Sequence, residues 1–249
     1  MDLMKEIIGD SWKENIVLAS IPLWKYDNEI PIANASGCLI KYKGKLFIIS
    51  IAHSSIAEST WNIGINDVHV KNGELGTSFQ PVDMQSLSQF QLLPEANNFT
   101  EPKTVDFTYR KLPEYFKSIH CIGIINQNEI IQSARTVFET DLDFEPSISE
   151  KYGFYGKVKF NGVTGRHMNF EHRLESNLKY LRTEDEFLVF ELPHKYGSHS
   201  KYIGCSGAPI IDTNNNVVAL VSYGLRSTNC IYGIDIRKYK AALEIETLD

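Results

Sequence analysis

The chain has 249 residues and a formal net charge of −6 at pH 7. This length allows a sizeable core and suits an all-β protein built from two barrels. The acidic balance argues against a nucleic-acid partner, which a basic face would bind, and no apolar run is long enough to cross a membrane.

The N-terminal part predicts one helix followed by strands. Apolar residues recur at helical spacing between Leu3 and Trp12, which predicts a short amphipathic helix over residues 2–13 that covers part of the core. Runs rich in β-branched and aromatic residues predict strands at 16–24, 36–42 and 45–51.

The C-terminal part predicts a second group of strands. Residues 113–149 are polar and irregular, with a helix expected over 129–137, and indicate a crossover between two barrels. Strands are predicted from Tyr152 onward and near the C-terminus, a hairpin turn is predicted where asparagine tolerates positive φ, and a final helix follows. The later strands are predicted at 186–192, 208–212, 217–223 and 230–234, the hairpin turn at 214–216 and the final helix at 237–248.

Three short motifs supply the residue types that acyl transfer to a serine requires. An apolar run ends at His53, Asp106 opens an alternating run, and Ser206 lies in the turn Gly-Cys-Ser-Gly-Ala-Pro. A serine hydroxyl is a poor nucleophile, so a neutral imidazole must take its proton and a carboxylate must hold that imidazole in the right tautomer. The N–H groups of Gly204 and Ser206 are the candidate oxyanion hole.

Each motif also has a structural interpretation. A glycine-rich turn carrying serine occurs in many proteins by chance, and Ala-His after a β-rich run is often only the end of a strand. An aspartate that opens a strand is usually a turn residue. The three motifs together, in one order and at these spacings, favour the catalytic interpretation.

With the order His53, Asp106, Ser206, the chain resembles the trypsin-like (chymotrypsin-fold) serine proteases. A fourth match is Ser222-Tyr223-Gly224, which resembles the end of the family's substrate-pairing strand, whose glycine walls the specificity pocket. The resemblance implies an all-β fold of two packed six-stranded antiparallel barrels, with a short N-terminal helix and a C-terminal helix. It divides one protease unit into an N-terminal barrel with crossover over 1–149 and a C-terminal barrel over 150–249.

The resemblance also implies a substrate-binding set. Its members are Ser200, Ile203, Ser222, Tyr223, Gly224 and Asp235. Ser200 stands near the expected pocket base, where a protease specific for basic residues usually has aspartate, so trypsin specificity is not assumed. Asp235 has two interpretations: it supplies a negative charge for a P1 lysine or arginine, or it caps the helix that begins near Arg237.

Departures from the secreted members of the family concern activation and compartment. Cys205 stands where many members have the aspartate that pairs with a newly cut N-terminus, so zymogen cleavage is not expected, and the thiol is interpreted as a small buried filler. The N-terminal residues lack the apolar core of a signal peptide, and the four cysteines are expected to be free thiols, which indicates the cytoplasm.

The histidines show no metal-ligand spacing, so no metal and no cofactor are expected. His194 and His199 precede the nucleophile and either line the pocket or are exposed loop residues.

The sequence therefore predicts a cytoplasmic serine endopeptidase that cleaves protein or peptide substrates through an acyl-enzyme. Activation by a protein partner is expected, as in a conditional effector of bacterial defence, and neither nucleic acid nor membrane is an expected partner. The alternative is a catalytically silent module of the same fold that holds a peptide in its cleft.

Overall fold

The first helix of the described residues begins at Ser11. The computed structural model describes residues 9–27, 30–55, 61–70, 74–89, 92–93, 98–99, 103–125, 129–164 and 167–248, so most of the predicted helix over 2–13 lies outside it. Helix α1 covers Ser11–Ala19 and is capped by Asp10, whose carboxylate accepts a hydrogen bond from Lys13 N at 3.2 Å. The prediction of a strand over 16–24 is wrong for its first part, because a short buried apolar run fits a helix as well as a strand.

The N-terminal half forms a curled, half-barrel sheet of ten strands. Its hydrogen-bonded path is β11-β10-β4-β1-β2-β3-β9-β6, with β5 paired to β4 and β12 paired to β2. A separate two-stranded piece consists of β7 and β8, and the short helix α2 follows β3. The bounds are β1 Ser20–Asp27, β2 Ile30–Tyr42, β3 Lys45–Ser50, α2 Ala52–Ser55, β4 Trp61–Val70, β5 Glu74–Val82, β6 Gln85–Gln89, β7 Leu92–Leu93, β8 Asn98–Phe99, β9 Lys103–Leu112, β10 Ile119–Ile125, β11 Glu129–Ala134 and β12 Val137–Glu139.

The C-terminal half is a closed six-stranded antiparallel barrel in the order β13-β14-β15-β18-β17-β16. Two 3₁₀ turns, His199–Lys201 and Ile236–Tyr239, flank its last three strands, and helix α3 follows the second turn. The predicted hairpin turn is confirmed, with Asn215 at φ +65°. The bounds are β13 Lys151–Thr164, β14 His167–Glu184, β15 Phe187–Glu191, β16 Pro209–Asp212, β17 Val217–Leu225, β18 Cys230–Asp235 and α3 Lys240–Ile245.

The expected all-β fold is confirmed, with two corrections in the N-terminal half. Its sheet curls without closing into a six-stranded barrel over the described residues. The helix expected over 129–137 is wrong: β11 pairs antiparallel with β10, and β12 pairs parallel with β2. Sheet pairing therefore decides the conformation of a segment whose local composition is ambiguous.

The largest apolar cluster joins the two halves. It combines side chains of α1, β2, β3 and β9 with side chains of the C-terminal barrel and α3. Phe107, next to Asp106 on β9, stacks on Tyr239 with ring centroids 4.5 Å apart and an interplanar angle of 6°. This packing fixes the start of β9 against the C-terminal half. No helix in the described part of the chain is long and apolar enough to cross a membrane.

Candidate active site

His53 and Asp106 are brought together by the pairing of β3 with β9. Ser50 at the end of β3 pairs with Thr108, so helix α2, which carries His53, lies beside the start of β9. His53 Nδ1 is 2.9 Å from both carboxylate oxygens of Asp106, and the backbone N of His53 donates to Asp106 Oδ1 at 3.0 Å. The side chain and the backbone of one residue therefore hold a single carboxylate.

Ser222 supplies a further donor to this carboxylate. Its hydroxyl donates to Asp106 Oδ2 at 2.9 Å. Burial alone would raise the pKa of Asp106, but the hydrogen bonds and charge of His53, together with the Ser222 hydroxyl, outweigh it and place the pKa below its ordinary value. Asp106 is thus an ionised acceptor at neutral pH.

The ionised carboxylate determines which ring nitrogen of neutral His53 carries the proton. A carboxylate only accepts hydrogen bonds, so Nδ1 must donate, and Nε2 keeps its lone pair. The ring is about half exposed, with 51% of the side-chain surface accessible. His53 is therefore a half-exposed side chain whose Nε2 can accept a proton, as a general base requires.

Ser206 lies in a turn that only glycine allows at two positions. Gly204 has φ +93° and Gly207 has φ +84°. A Cβ at Gly204 would lie 2.1 Å from Asn34 Nδ2, and one at Gly207 would lie 2.1 Å from the Ser36 carbonyl oxygen. Both the backbone conformation and the close approach of β2 therefore require these glycines.

The nucleophile turn is joined to the N-terminal half by hydrogen bonds at Ser36, which we call the Ser36 link. Ser36 N donates to the Ser206 carbonyl oxygen at 2.8 Å, and Ser36 Oγ donates to the Gly204 carbonyl oxygen at 2.8 Å. Ser50 Oγ donates in turn to the Ser36 carbonyl oxygen at 2.7 Å. On its other side the turn is bonded to β17, through Gly207 N and the Val221 carbonyl oxygen at 2.8 Å.

Ser222 connects Ser206 to the His53–Asp106 pair. Ser206 Oγ donates to the Ser222 carbonyl oxygen at 3.4 Å, and the hydroxyl of the same Ser222 contacts Asp106. Among the hydrogen bonds of the described residues, none joins Ser206 Oγ to His53. Catalytic hydrogen bonds are often long or misaligned without substrate, and the triad assignment stays a prediction.

The candidate oxyanion donors have no competing acceptor in the described part of the protein. The N–H groups of Gly204 and Ser206 make none of the backbone hydrogen bonds of the turn, whereas the neighbouring Cys205 N donates to the Tyr202 carbonyl oxygen at 2.9 Å. The Cys205 side chain is fully buried, and burial raises the pKa of its thiol. Cys205 is thus placed as a packing residue.

The residues predicted to bind substrate occupy different environments. Ser200 lies on an exposed 3₁₀ turn, and Ile203 is an exposed apolar side chain beside the nucleophile turn. Tyr223 stacks on Tyr232 at 4.7 Å, within a small apolar cluster separate from the main barrel core. Gly224 contacts the ring of Tyr196, a residue that the sequence motifs did not single out.

Asp235 makes the contacts of a cap. It is buried, and its carboxylate accepts from Arg237 N at 3.1 Å, Nε at 2.9 Å and Nη2 at 2.8 Å. Of the two interpretations of Asp235, the structure shows the capping contact, at the start of the 3₁₀ turn Ile236–Tyr239. Both carboxylate oxygens are occupied by one guanidinium, so we do not retain Asp235 as a determinant of basic P1 residues.

A buried carboxylate beneath the nucleophile turn was also missed from the sequence. Glu175 accepts from Tyr202 Oη at 2.9 Å, contacts His194 Nε2 at 2.8 Å, and forms an ion pair with Arg173. Tyr202 precedes Gly204 by two residues, so this cluster anchors the approach to the oxyanion turn. His194 is an exposed partner of Glu175, and His199 is exposed on its turn.

Comparison with known proteins supports the fold. No protein-family model and no curated protein sequence matches the chain. Solved structures do match: human heparin-binding protein has a TM-score of 0.56 at 11% identity, covering 92% of this chain and 91% of that one. GrC has a TM-score of 0.52 at 13% identity, with 92% and 93% covered. A serine endoprotease from Yersinia pestis has a TM-score of 0.51 at 12% identity, with 95% of this chain and 65% of that one covered.

These likenesses show that the chain has the chymotrypsin fold of the serine proteases, and the resemblance expected from the motifs is confirmed at the level of fold. The proteins that share this fold include a heparin-binding protein as well as a serine endoprotease, and likeness at 10–13% identity shows the fold alone. The function therefore has to be argued from the site.

Proposed function

We propose that this protein is a serine endopeptidase that hydrolyses peptide bonds of protein substrates through an acyl-enzyme. The observation that carries the proposal is the pairing of His53 Nδ1 with Asp106 at 2.9 Å beside the glycine turn that presents Ser206. Ser222 touches both parts of this arrangement.

In the first half of the reaction, Ser206 Oγ attacks the carbonyl carbon of the scissile bond and its proton passes to His53 Nε2. The carbonyl oxygen becomes negative and accepts hydrogen bonds from Gly204 N and Ser206 N. The C–N bond then breaks, the leaving amine takes the proton from His53, and an ester on Ser206 remains. Asp106 stabilises the imidazolium that forms between these two transfers.

In the second half, a water molecule replaces the amine. His53 takes a proton from the water as its oxygen attacks the ester carbon, and the same N–H groups hold the oxyanion. The ester C–O bond breaks and Ser206 Oγ takes the proton from His53. The acid is released and the enzyme returns to its starting state.

We further propose a cytoplasmic protein whose activity depends on a protein partner. Three buried free thiols, Cys38, Cys205 and Cys230, support a reducing compartment. The Ser206 hydroxyl faces the Ser222 carbonyl rather than His53, which supports control by a partner that aligns the nucleophile. The thiol at position 205 supports independence from a newly cut N-terminus.

The second candidate function is a silent module that binds a peptide without cleaving it. Two observations favour it: the missing Ser206–His53 hydrogen bond among the described residues, and the fold shared with a protein that is named for binding, the human heparin-binding protein. Both candidates use the same cleft and differ in whether Ser206 reacts.

A fluorophosphonate probe distinguishes the endopeptidase from the silent binding module. We expect an adduct on Ser206, found by peptide mass spectrometry, that Ser206→Ala abolishes and Ser227→Ala, a change on an exposed turn, leaves unchanged. Cleavage of a cytosolic proteome by the wild type, compared with Ser206→Ala, then identifies substrates. No adduct in any condition, including after addition of cell extract, would exclude the endopeptidase and favour the binding module.

A further inference from the structure

Tyr196 lies against the strand that the proposed function assigns to substrate. Its ring is 3% exposed and stacks on Tyr202 with centroids 4.8 Å apart and an interplanar angle of 20°. A Cβ built on Gly224 would lie 2.4 Å from Tyr196 Cε2 and 2.8 Å from its hydroxyl oxygen. The ring therefore covers the α-carbon of Gly224 directly.

The covered face of Gly224 points inward, away from Tyr223. Side chains alternate between the two faces of a strand, and Tyr223 belongs to the small cluster formed with Tyr232. Tyr196 belongs instead to the main core of the C-terminal barrel, together with Cys205. Burial raises the pKa of the Tyr196 phenol, and Cys205 adds to this rise.

These contacts enclose the space that a substrate side chain would need. If substrate pairs with β17, as the proposed function assigns, its backbone passes Gly224 beside the nucleophile turn, and the side chain before the scissile bond would enter between that turn and β17. In this structure the buried ring of Tyr196 covers Gly224 from the side of the barrel core. A glycine at position 224 makes room for the ring rather than for substrate.

The ring of Tyr196 is held in place by its packing and by a hydrogen bond from the backbone N–H of the same residue. Tyr196 N donates to Asn229 Oδ1, and Asn229 Nδ2 donates to the Leu192 carbonyl oxygen at 3.2 Å. The stacked Tyr202 is itself bonded to the buried Glu175. The Tyr196 hydroxyl is buried and has no hydrogen-bond partner among the described residues. Since the hydroxyl makes no bond, phenylalanine should keep the ring in place.

We propose that Tyr196 is the specificity-determining residue of the protease, and that its ring restricts the P1 position to glycine, alanine and serine. This inference rests on the proposed function. A larger P1 side chain has to displace a buried, stacked ring, whereas a small one fits beside it. Each methylene that a pocket accepts or rejects changes selectivity by about 10-fold to 200-fold, so a phenyl group should be disfavoured by about 100-fold or more.

Peptidyl diphenyl phosphonates that differ only at P1, alanine or phenylalanine, test this directly through their rate of adduct formation on Ser206. The wild type should react about 100-fold or more faster with the alanine probe. Tyr196→Phe keeps the ring and should keep that ratio, whereas Tyr196→Gly should raise the rate with the phenylalanine probe until the ratio is lost. Tyr196→Leu, which fills more of the core, should lower the ratio in part if the glycine variant does not fold, as checked by thermal melting.

Two results would overturn the inference, and they are distinguishable. A wild-type enzyme that labels equally fast with both phosphonates, or a folded Tyr196→Gly enzyme that keeps the wild-type ratio, removes Tyr196 from specificity and leaves the endopeptidase intact. A Ser206 that reacts with neither phosphonate nor with a fluorophosphonate, in the presence of cell extract as well as without it, removes the endopeptidase itself, and the inference with it.

Discussion

Asp106→Asn should abolish most of the activity by changing the tautomer of His53 while leaving the fold in place. In the wild type the Asp106 carboxylate accepts hydrogen bonds from His53 N, His53 Nδ1 and Ser222 Oγ. An amide of the same shape has one acceptor oxygen and one NH₂ donor. If its oxygen keeps the bond to His53 N, the NH₂ group takes the Oδ2 position, 2.9 Å from Nδ1.

An NH₂ group at that distance needs a lone pair on Nδ1, so the ring proton moves to Nε2. That tautomer cannot take a proton from Ser206. The loss should be about 10⁴-fold in kcat, as expected when an amide imposes the wrong tautomer, which corresponds to about 5.5 kcal/mol of transition-state stabilisation. The fold should lose no more than about 3 kcal/mol, the range for one hydrogen bond to a charged group.

Ser222→Ala is the matched control. It removes one donor to the carboxylate but leaves the charge, so His53 should keep its proton on Nδ1. Its loss should be about 10-fold, equivalent to about 1.4 kcal/mol.

The rate of fluorophosphonate labelling measures the loss of reactivity, and ¹⁵N chemical shifts of the His53 ring report the tautomer without any need for turnover. Wild-type protein with the proton on Nε2 would refute the reasoning, and so would Asp106→Asn that labels at the wild-type rate.

Three further results are expected. Ser206→Ala and His53→Ala should each lower kcat by about 10⁶-fold, and the double variant should be no worse, because the pair acts as a unit; additive losses would contradict the assignment. Asp235→Asn should lower the melting temperature through its lost bonds to Arg237 and leave the cleavage profile unchanged; a loss of Lys/Arg cleavage alone would return Asp235 to the pocket. The lowered pKa of Asp106 makes its ionised form stabilising above the ordinary carboxyl pKa of about 4, and this contribution disappears as pH falls through the folded-state pKa. Denaturant titrations should therefore show a smaller stability gap between wild type and Asp106→Asn at about pH 2 than at pH 6; a constant gap would exclude this linkage.

The sequence alone predicts secondary structure correctly where the local residue pattern and the strand pairing of the fold agree. The strands at 217–223 and 230–234 were predicted nearly to the residue, because each is a β-rich run bounded by turn residues. Local pattern failed at 16–24, where the run Ile16–Ala19 is buried as the end of a helix, and at 129–137, where pairing with β10 and β2 overrides a helical expectation.

The same distinction between local pattern and long-range contact applies to the residues of the candidate active site. His53, Asp106 and Ser206 could be found because each stands in a short motif at the end of a strand or in a turn. Tyr196 and Glu175 could not be found, because only long-range contacts connect them to the site. Tyr196 contacts Gly224, 28 positions later, and Glu175 contacts Tyr202, 27 positions later. No local pattern encodes such a contact.

The Ser36 link makes the nucleophile depend on the union of the two halves of the molecule. The carbonyl groups on either side of Cys205 are held by a strand that lies about 170 residues earlier in the chain, a separation over which only the folded arrangement brings such groups together. If the chain were cut in its crossover and expressed as two fragments, neither fragment alone could hold the oxyanion turn in shape. A reactive serine would then appear only when the fragments meet, so its labelling would serve as a reporter of their reassembly.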